Sequence, residues 1–138
     1  MSRPSIDAGT VIDYPYLWSW QAERGEDAGR KDRTVCVVLA LQAGDVTHLV
    51  LLAISGTPPR TGQDTIEIPA LERRRAGLLE WKDAWITLSE YNYDIAERSV
   101  CLDPDARIYG RFSRTFLAKV AERFRPHLQG RESRIDRT

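Results

Sequence analysis

Arg33-Thr34-Val35-Cys36-Val37-Val38-Leu39-Ala40-Leu41, a turn at Ala43-Gly44-Asp45, and Val46-Thr47-His48-Leu49-Val50-Leu51-Leu52-Ala53-Ile54 form the stretch on which the fold turns. β-Branched and aliphatic residues dominate both runs, and they suit a pleated surface better than a helix. Each run is continuous rather than alternating, the pattern of a strand covered on both faces. A short Gly-containing turn joins them. The stretch predicts a central hairpin buried on both sides.

Working outward, Thr10-Val11-Ile12-Asp13-Tyr14 predicts a first strand, entered through Gly9 and ended by Pro15. Tyr16, Leu17, Trp18 and Trp20 cluster at its exit. Residues 23–32 are charged, contain Gly25 and Gly29, lack large apolar side chains and predict a mobile loop. After the hairpin, Ser55-Gly56-Thr57-Pro58-Pro59 breaks the strand, and Thr65-Ile66-Glu67-Ile68 predicts a short alternating strand closed by Pro69. Residues 70–79 predict a brief helix with Arg73, Arg74 and Arg75 outward and Gly77 near its end. Trp85-Ile86-Thr87-Leu88 and Ser99-Val100-Cys101-Leu102 predict further strands, and Ile108-Tyr109 a short piece. Ser113 is placed to cap a helix reaching about Arg125, with Phe116, Leu117, Val120, Ala121 and Phe124 on one face and Pro126 as its stop.

The expected organisation is a flexible N-terminal arm (1–8), one domain (9–128) and a disordered tail (129–138). Five or six short strands with a C-terminal helix predict a mainly β fold, a small, strongly bent β-barrel.

The chain has 138 residues, 42% hydrophobic and 29% charged, which suits one globular domain. A net charge of zero argues against coating nucleic acid through bulk charge. The zero is uneven: residues 1–102 carry a net −4 and residues 103–138 a net +4. Arg supplies 17 of the 20 basic residues; its fork suits carboxylate and phosphate, although a GC-rich coding bias has the same signature. Cys36 and Cys101 sit among apolar neighbours, as reduced, buried thiols do. Without CxxC, and with His48 and His127 the sole histidines, no metal site is expected. The longest apolar stretch, residues 49–54, is strand-sized, and the N-terminus lacks a signal-peptide core, so a cytoplasmic protein with no membrane association is expected. Gly-rich phosphate loops, HExxH and GxSxG are absent from the sequence.

Three features can carry chemistry. Arg33, after Arg30-Lys31-Asp32, stands at the root of a buried strand, where a guanidinium is positioned to neutralise charge developing on a phosphate. The alternative is a gatekeeping charge at a strand edge. Ser55 ends the partner strand, so a hairpin of suitable register brings it to the same open end as Arg33; the alternative is a plain turn residue. In Ser89-Glu90-Tyr91-Asn92-Tyr93-Asp94, Glu90 or Asp94 can act as a base and the tyrosines can stack on nucleobases; the alternative is a polar strand end.

The order of these parts resembles the PemK/MazF family of toxins from type II toxin–antitoxin systems, in its PemK-like branch. The resemblance runs from Gly9-Thr10-Val11-Ile12 through Gly29-Arg30-Lys31-Asp32-Arg33-Thr34-Val35-Cys36-Val37-Val38, similar to the family's G-x-K-x-R-P-x-x-V-V, to Leu52-Ala53-Ile54-Ser55, similar to its P-I-T strand end. Ile66-Glu67-Ile68-Pro69, Ala76-Gly77-Leu78 with Trp85-Ile86, and Leu88-Ser89-Glu90-Tyr91-Asn92 continue it, over residues 8–125. It departs at Thr34, where the family usually has Pro, at Ser55, usually Thr, and at Gly56, where many relatives carry His.

The resemblance implies an SH3-like barrel, a homodimer and a metal-independent endoribonuclease without cofactor that cuts single-stranded RNA at short sequences. Catalysis falls on Arg33, Ser55 and Glu90, and RNA binding on Arg30, Lys31, Tyr91 and Asn92. The charged loop would cover the RNA path, and a cognate antitoxin would lie over the same groove. The alternatives are a degenerate toxin, a non-catalytic barrel that poisons a protein target such as gyrase, and a plain RNA-binding module using Tyr91, Tyr93 and the C-terminal arginines.

Overall fold

The computed structural model describes residues 6–25, 32–130 and 133–138. The central hairpin is there: β2 (Arg33–Ala43) and β3 (Val46–Ser55) pair antiparallel, Val35 opposite Ala53 and Ala43 opposite Val46. A bulge interrupts the register, with Val37 opposite Leu51 but Leu39 opposite Val50. One extra residue bends a strand and raises its local twist. Residues 35–38 of β2 and 49–54 of β3 are covered on both faces, but the turn half of β2 is not, with Leu39 and Leu41 exposed, so the expected two-sided burial holds for only part of the hairpin. Cys36, Val50, Leu52 and Ile54 join one core, with Ile86, Phe116 and Phe124; Val35, Leu49, Leu51 and Ala53 join a second, with Ile12, Tyr14, Tyr16 and Leu102.

The remaining strands are β1 (Thr10–Tyr14), β4 (Thr65–Glu67), β5 (Trp85–Thr87), β6 (Tyr91–Ile95), β7 (Ile108–Arg111) and β8 (Arg134–Asp136). The eight strands make one mainly antiparallel sheet, six of them in the order β4-β5-β3-β2-β1-β7, with β6 paired to β3 and β8 to β6. Two strands share the second edge of β3: β6 pairs with residues 48–51 and β5 with Ile54 and Ser55. Among the described residues no ladder joins β4 to β7, so strand pairing does not close the sheet. The helix α2 (Ala70–Arg75), which follows β4, packs its C-terminal end on Tyr109 and Gly110 of β7.

Helix α3 (Arg114–Leu128) starts as expected: Ser113 Oγ accepts the Phe116 N–H at 3.2 Å, and the Ser113 N–H and hydroxyl donate to the buried Glu72 carboxylate at 2.8 Å. It continues past Pro126 to Leu128. A proline in the last turn removes one donor, and the helix tolerates it there better than in its middle.

Four other expectations need correction. The strand placed at residues 99–102 is instead β6, Tyr91–Ile95. Its polar residues are paired inside: Tyr14 Oη donates to Asp94 at 2.7 Å, and the Asn92 amide bonds the Leu17 backbone. The tail is not wholly disordered, because β8 adds to β6 in parallel, burying Ile135 and Arg137, and the Arg137 guanidinium donates to the Pro15 carbonyl. Pairing with β6 and the burial of Ile135 and Arg137 tie this end of the chain down. In the arm, Ile6 packs on the second core and Asp7 pairs with Arg111 at 2.7 Å, while residues 1–5 lie outside the described residues. Finally, a short helix, α1 (Ser19–Glu23), follows the aromatic cluster. Among the described residues no helix is long and apolar enough to cross a membrane.

The two thiols differ. Cys36 is fully buried, and burial pushes its thiol up to about 12. Cys101 is partly exposed and accepts a bond from Arg137 at 3.3 Å. A thiol reagent is expected to modify Cys101 in the native protein and Cys36 only on unfolding. Two thiols titrating at equal rates without denaturant would contradict the buried position of Cys36.

Candidate functional site

Alternation along the strands builds the floor of the site. Directly paired residues of neighbouring strands project to the same face. Ser55 is opposite Trp85, and the Val35–Ala53 register carries Arg33 to the level of Ser55. The intervening Ile54 and Ile86 turn to the core. Thr87 and its partner Thr65 extend the Trp85 face by one step. Arg33, Ser55 and Trp85 thus stand in a row across β2, β3 and β5. They line a cleft of about 610 Å³ together with Thr65, Thr87, Ser89 and Glu90.

Two walls rise from this floor. One is the segment entering α1, with Trp18, Ser19 and Trp20; the other is the turn after β3, residues 57–63, with Arg60. The Arg60 N–H donates to Gln63 Oε1 at 2.9 Å, and the next residue, Asp64, pairs with Arg123 and His127 of α3, both at 2.9 Å. His127 therefore helps tie this wall to the helix. His48 bonds the Tyr93 hydroxyl and lines no part of the cleft.

The expected catalytic residues meet here. The half-buried Arg33 guanidinium carbon lies 6.0 Å from the Trp18 ring centroid. The Ser55 hydroxyl accepts the Thr57 N–H at 3.1 Å, so Ser55 is a turn residue and a cleft residue at once. Glu90 accepts the Ser19 N–H at 2.9 Å, the Ser19 hydroxyl at 3.1 Å and the Tyr16 hydroxyl at 3.3 Å. Burial raises its pKa above the ordinary carboxylate value, and the Ser19 and Tyr16 hydrogen bonds oppose that only in part.

Of the RNA-binding expectations, two are overturned. Asn92 is fully buried, with its amide spent on Leu17: Oδ1 accepts the N–H at 2.9 Å and Nδ2 donates to the carbonyl at 2.8 Å. Tyr91 is buried edge-on against Phe124, its hydroxyl toward the Leu128 carbonyl. Both hold the fold together, because β6 is an interior strand between β3 and β8. Arg30 and Lys31 lie outside the described residues. Conversely, the sequence reading overlooked Arg60, Trp85 and the use of Trp18 and Trp20 as cleft walls. The period-two pattern of residues 85–88 was the one available signal, since it sets Trp85 opposite in face to the core residue Ile86.

The fold and the cleft together define a mainly β protein whose sheet presents guanidinium, hydroxyl, indole and carboxylate groups to one solvent-accessible groove. Such a set suits an anionic, flat-ringed ligand, through charge on the guanidiniums and stacking on the indoles. Among the described residues no group of three His, Cys, Asp or Glu is arranged to hold a metal ion. Compared with family models, curated proteins and solved structures, the chain matches none.

Proposed function

We propose that the protein is an endoribonuclease toxin of the PemK/MazF type, cutting single-stranded RNA in this cleft. One observation carries the reading: Arg33, Ser55 and Glu90, drawn from separate parts of the chain, line the same cleft. The bent sheet is taken as an SH3-like barrel with α2 bridging its open side. RNA carries its own nucleophile, so the protein has chiefly to orient the chain and stabilise charge. In the proposed step the ribose 2′-oxygen attacks the adjacent phosphorus and its proton passes to Glu90. Arg33, assisted by Ser55, stabilises the charge gathering on the phosphoryl oxygens. The bond to the 5′-oxygen breaks, that oxygen takes a proton from water, the hydroxide so formed takes up the proton held by Glu90, and the products are a 2′,3′-cyclic phosphate and a 5′-hydroxyl. No metal or cofactor enters this scheme. The proposal extends to a cytoplasmic homodimer that a cognate antitoxin neutralises by covering the groove.

Purified protein incubated with single-stranded RNA in EDTA tests the reading. Products with cyclic phosphate and 5′-hydroxyl ends at recurring short sequences are expected, and intact RNA defeats it. The pH profile tests Glu90. A base must be ionised, so the rate is expected to fall as pH drops through the Glu90 pKa, above the ordinary carboxylate range. Glu90→Gln should slow cleavage by roughly 100-fold or more and flatten that limb. An unchanged limb in Glu90→Gln would leave Glu90 as the anchor of Ser19 alone.

A second reading, a non-catalytic barrel that binds a protein target, draws on the engagement of the Ser55 hydroxyl within its own turn. Growth arrest on expression with cellular RNA left intact would favour it.

A further inference from the structure

The row across the sheet reaches beyond the groups used for cleavage. Trp85 stands one strand from Ser55, on the same face, half-buried at the edge of the cleft floor. Beyond it on that face lie the half-buried Thr65 and its cross-strand partner Thr87, which is only 2% exposed at the base of the cleft. Strands are about 4.8 Å apart, so Arg33 and Trp85 sit roughly 10 Å apart across Ser55, the scale of a phosphate and the base of an adjoining nucleotide. Arg60, exposed on the wall above, adds a second cation to the cleft.

We infer that Trp85, Thr65 and Thr87 form a base-reading subsite for one unpaired nucleotide next to the scissile phosphate, with Arg60 clamping the neighbouring phosphate. This rests on the reading of the cleft as an RNA site and supplies its sequence selectivity. The indole gives a stacking platform that any base can use. The threonine hydroxyls, donors and acceptors both, discriminate among base edges. A single-stranded chain is required, because a base within a duplex cannot lay its face on the sheet.

The test separates binding from cleavage by using a short, fluorescein-labelled, mixed-sequence single-stranded DNA, which lacks the 2′-hydroxyl nucleophile. Anisotropy is read across a salt series, with thermal melting as a check on folding. Trp85→Ala is expected to weaken binding about tenfold or more, and Trp85→Phe to restore most of it. Arg60→Ala, on an exposed turn, should lower the slope of log affinity against log salt by about 0.7. With RNA, Thr87→Val should shift the distribution of cut sites more than the total rate. Should Trp85→Ala melt early, Arg60→Ala and Thr87→Val still decide the matter. Native-folding Trp85→Ala, Arg60→Ala and Thr87→Val proteins that bind and cut as wild type does would overturn the subsite while leaving the endoribonuclease reading standing. A wild-type protein that neither binds the DNA nor cuts RNA would remove both.

Discussion

Arg33→Ala is expected to reduce RNA cleavage by at least about 100-fold, with melting temperature nearly unchanged. Removing one donor aimed at developing charge has an effect of that size in acyl transfer, and a positioned arginine is worth at least as much in phosphoryl transfer. The fold has little at stake in this side chain. Arg33 begins β2 and is only half-buried, and its backbone pairing with Tyr14 does not depend on the guanidinium. Arg33→Lys should recover only part of the loss, since an ammonium keeps the charge without the planar fork that matches two phosphoryl oxygens. Initial rates on a defined RNA, with melting curves for each variant, measure this. Full activity in a folded Arg33→Ala protein would displace the proposed chemistry from this end of the hairpin.

Gly77→Ala is expected to be the most disruptive glycine-to-alanine change among the described residues. Gly77 follows α2 in a two-bond C-terminal cap: the Leu78 N–H reaches the Arg73 carbonyl at 2.8 Å and the Gly77 N–H the Arg74 carbonyl at 3.2 Å. Its φ of +76° already disfavours alanine, by about 1 kcal/mol. A Cβ there would also lie 2.1 Å from the Tyr109 carbonyl oxygen and 2.7 Å from its carbon. These are backbone atoms of β7, so no side-chain rotation relieves the clash. Gly110, in the facing strand, is equally close to α2, where a Cβ would come within 2.6 Å of the Arg75 carbonyl. The expected loss is about 4 kcal/mol or more, in the range reserved for severe steric defects. Gly44→Ala is the control: its φ is +63°, but a Cβ there meets nothing within 4 Å, so only the backbone term should appear. Denaturant unfolding of the two variants isolates the α2–β7 contact. Equal losses would mean that this junction gives way easily.

These two positions show what could be read ahead of the structure. Arg33 and Ser55 were placed at one end of a hairpin by two apolar runs and a turn, and the register agrees. Gly77 was readable as lying near a helix end, because a cap is a local pattern of backbone and propensity, although α2 stops at Arg75 and not at the expected residue 79. The approach of Tyr109 to Gly77 was not, since it joins residues 32 positions apart. Tyr91 and Asn92 were misread for a related reason. A tyrosine beside an amide looks the same in sequence whether it faces solvent or an interior partner. Asn92 is inside because the Leu17 backbone supplies both of its bonds, and nothing near residue 92 announces that.

The amino-acid sequence alone determined the hairpin and the cover of its open half, the mainly β character and the start of the C-terminal helix, because hydrophobic period and capping act over a few residues. Tertiary structure alone decided that the last residues join β6, that Trp85 stands beside Ser55, and that Glu90 holds Ser19 at the cleft edge. Each of these depends on pairing distant backbone groups or satisfying a polar group from afar, and local pattern does not encode which distant partner is met.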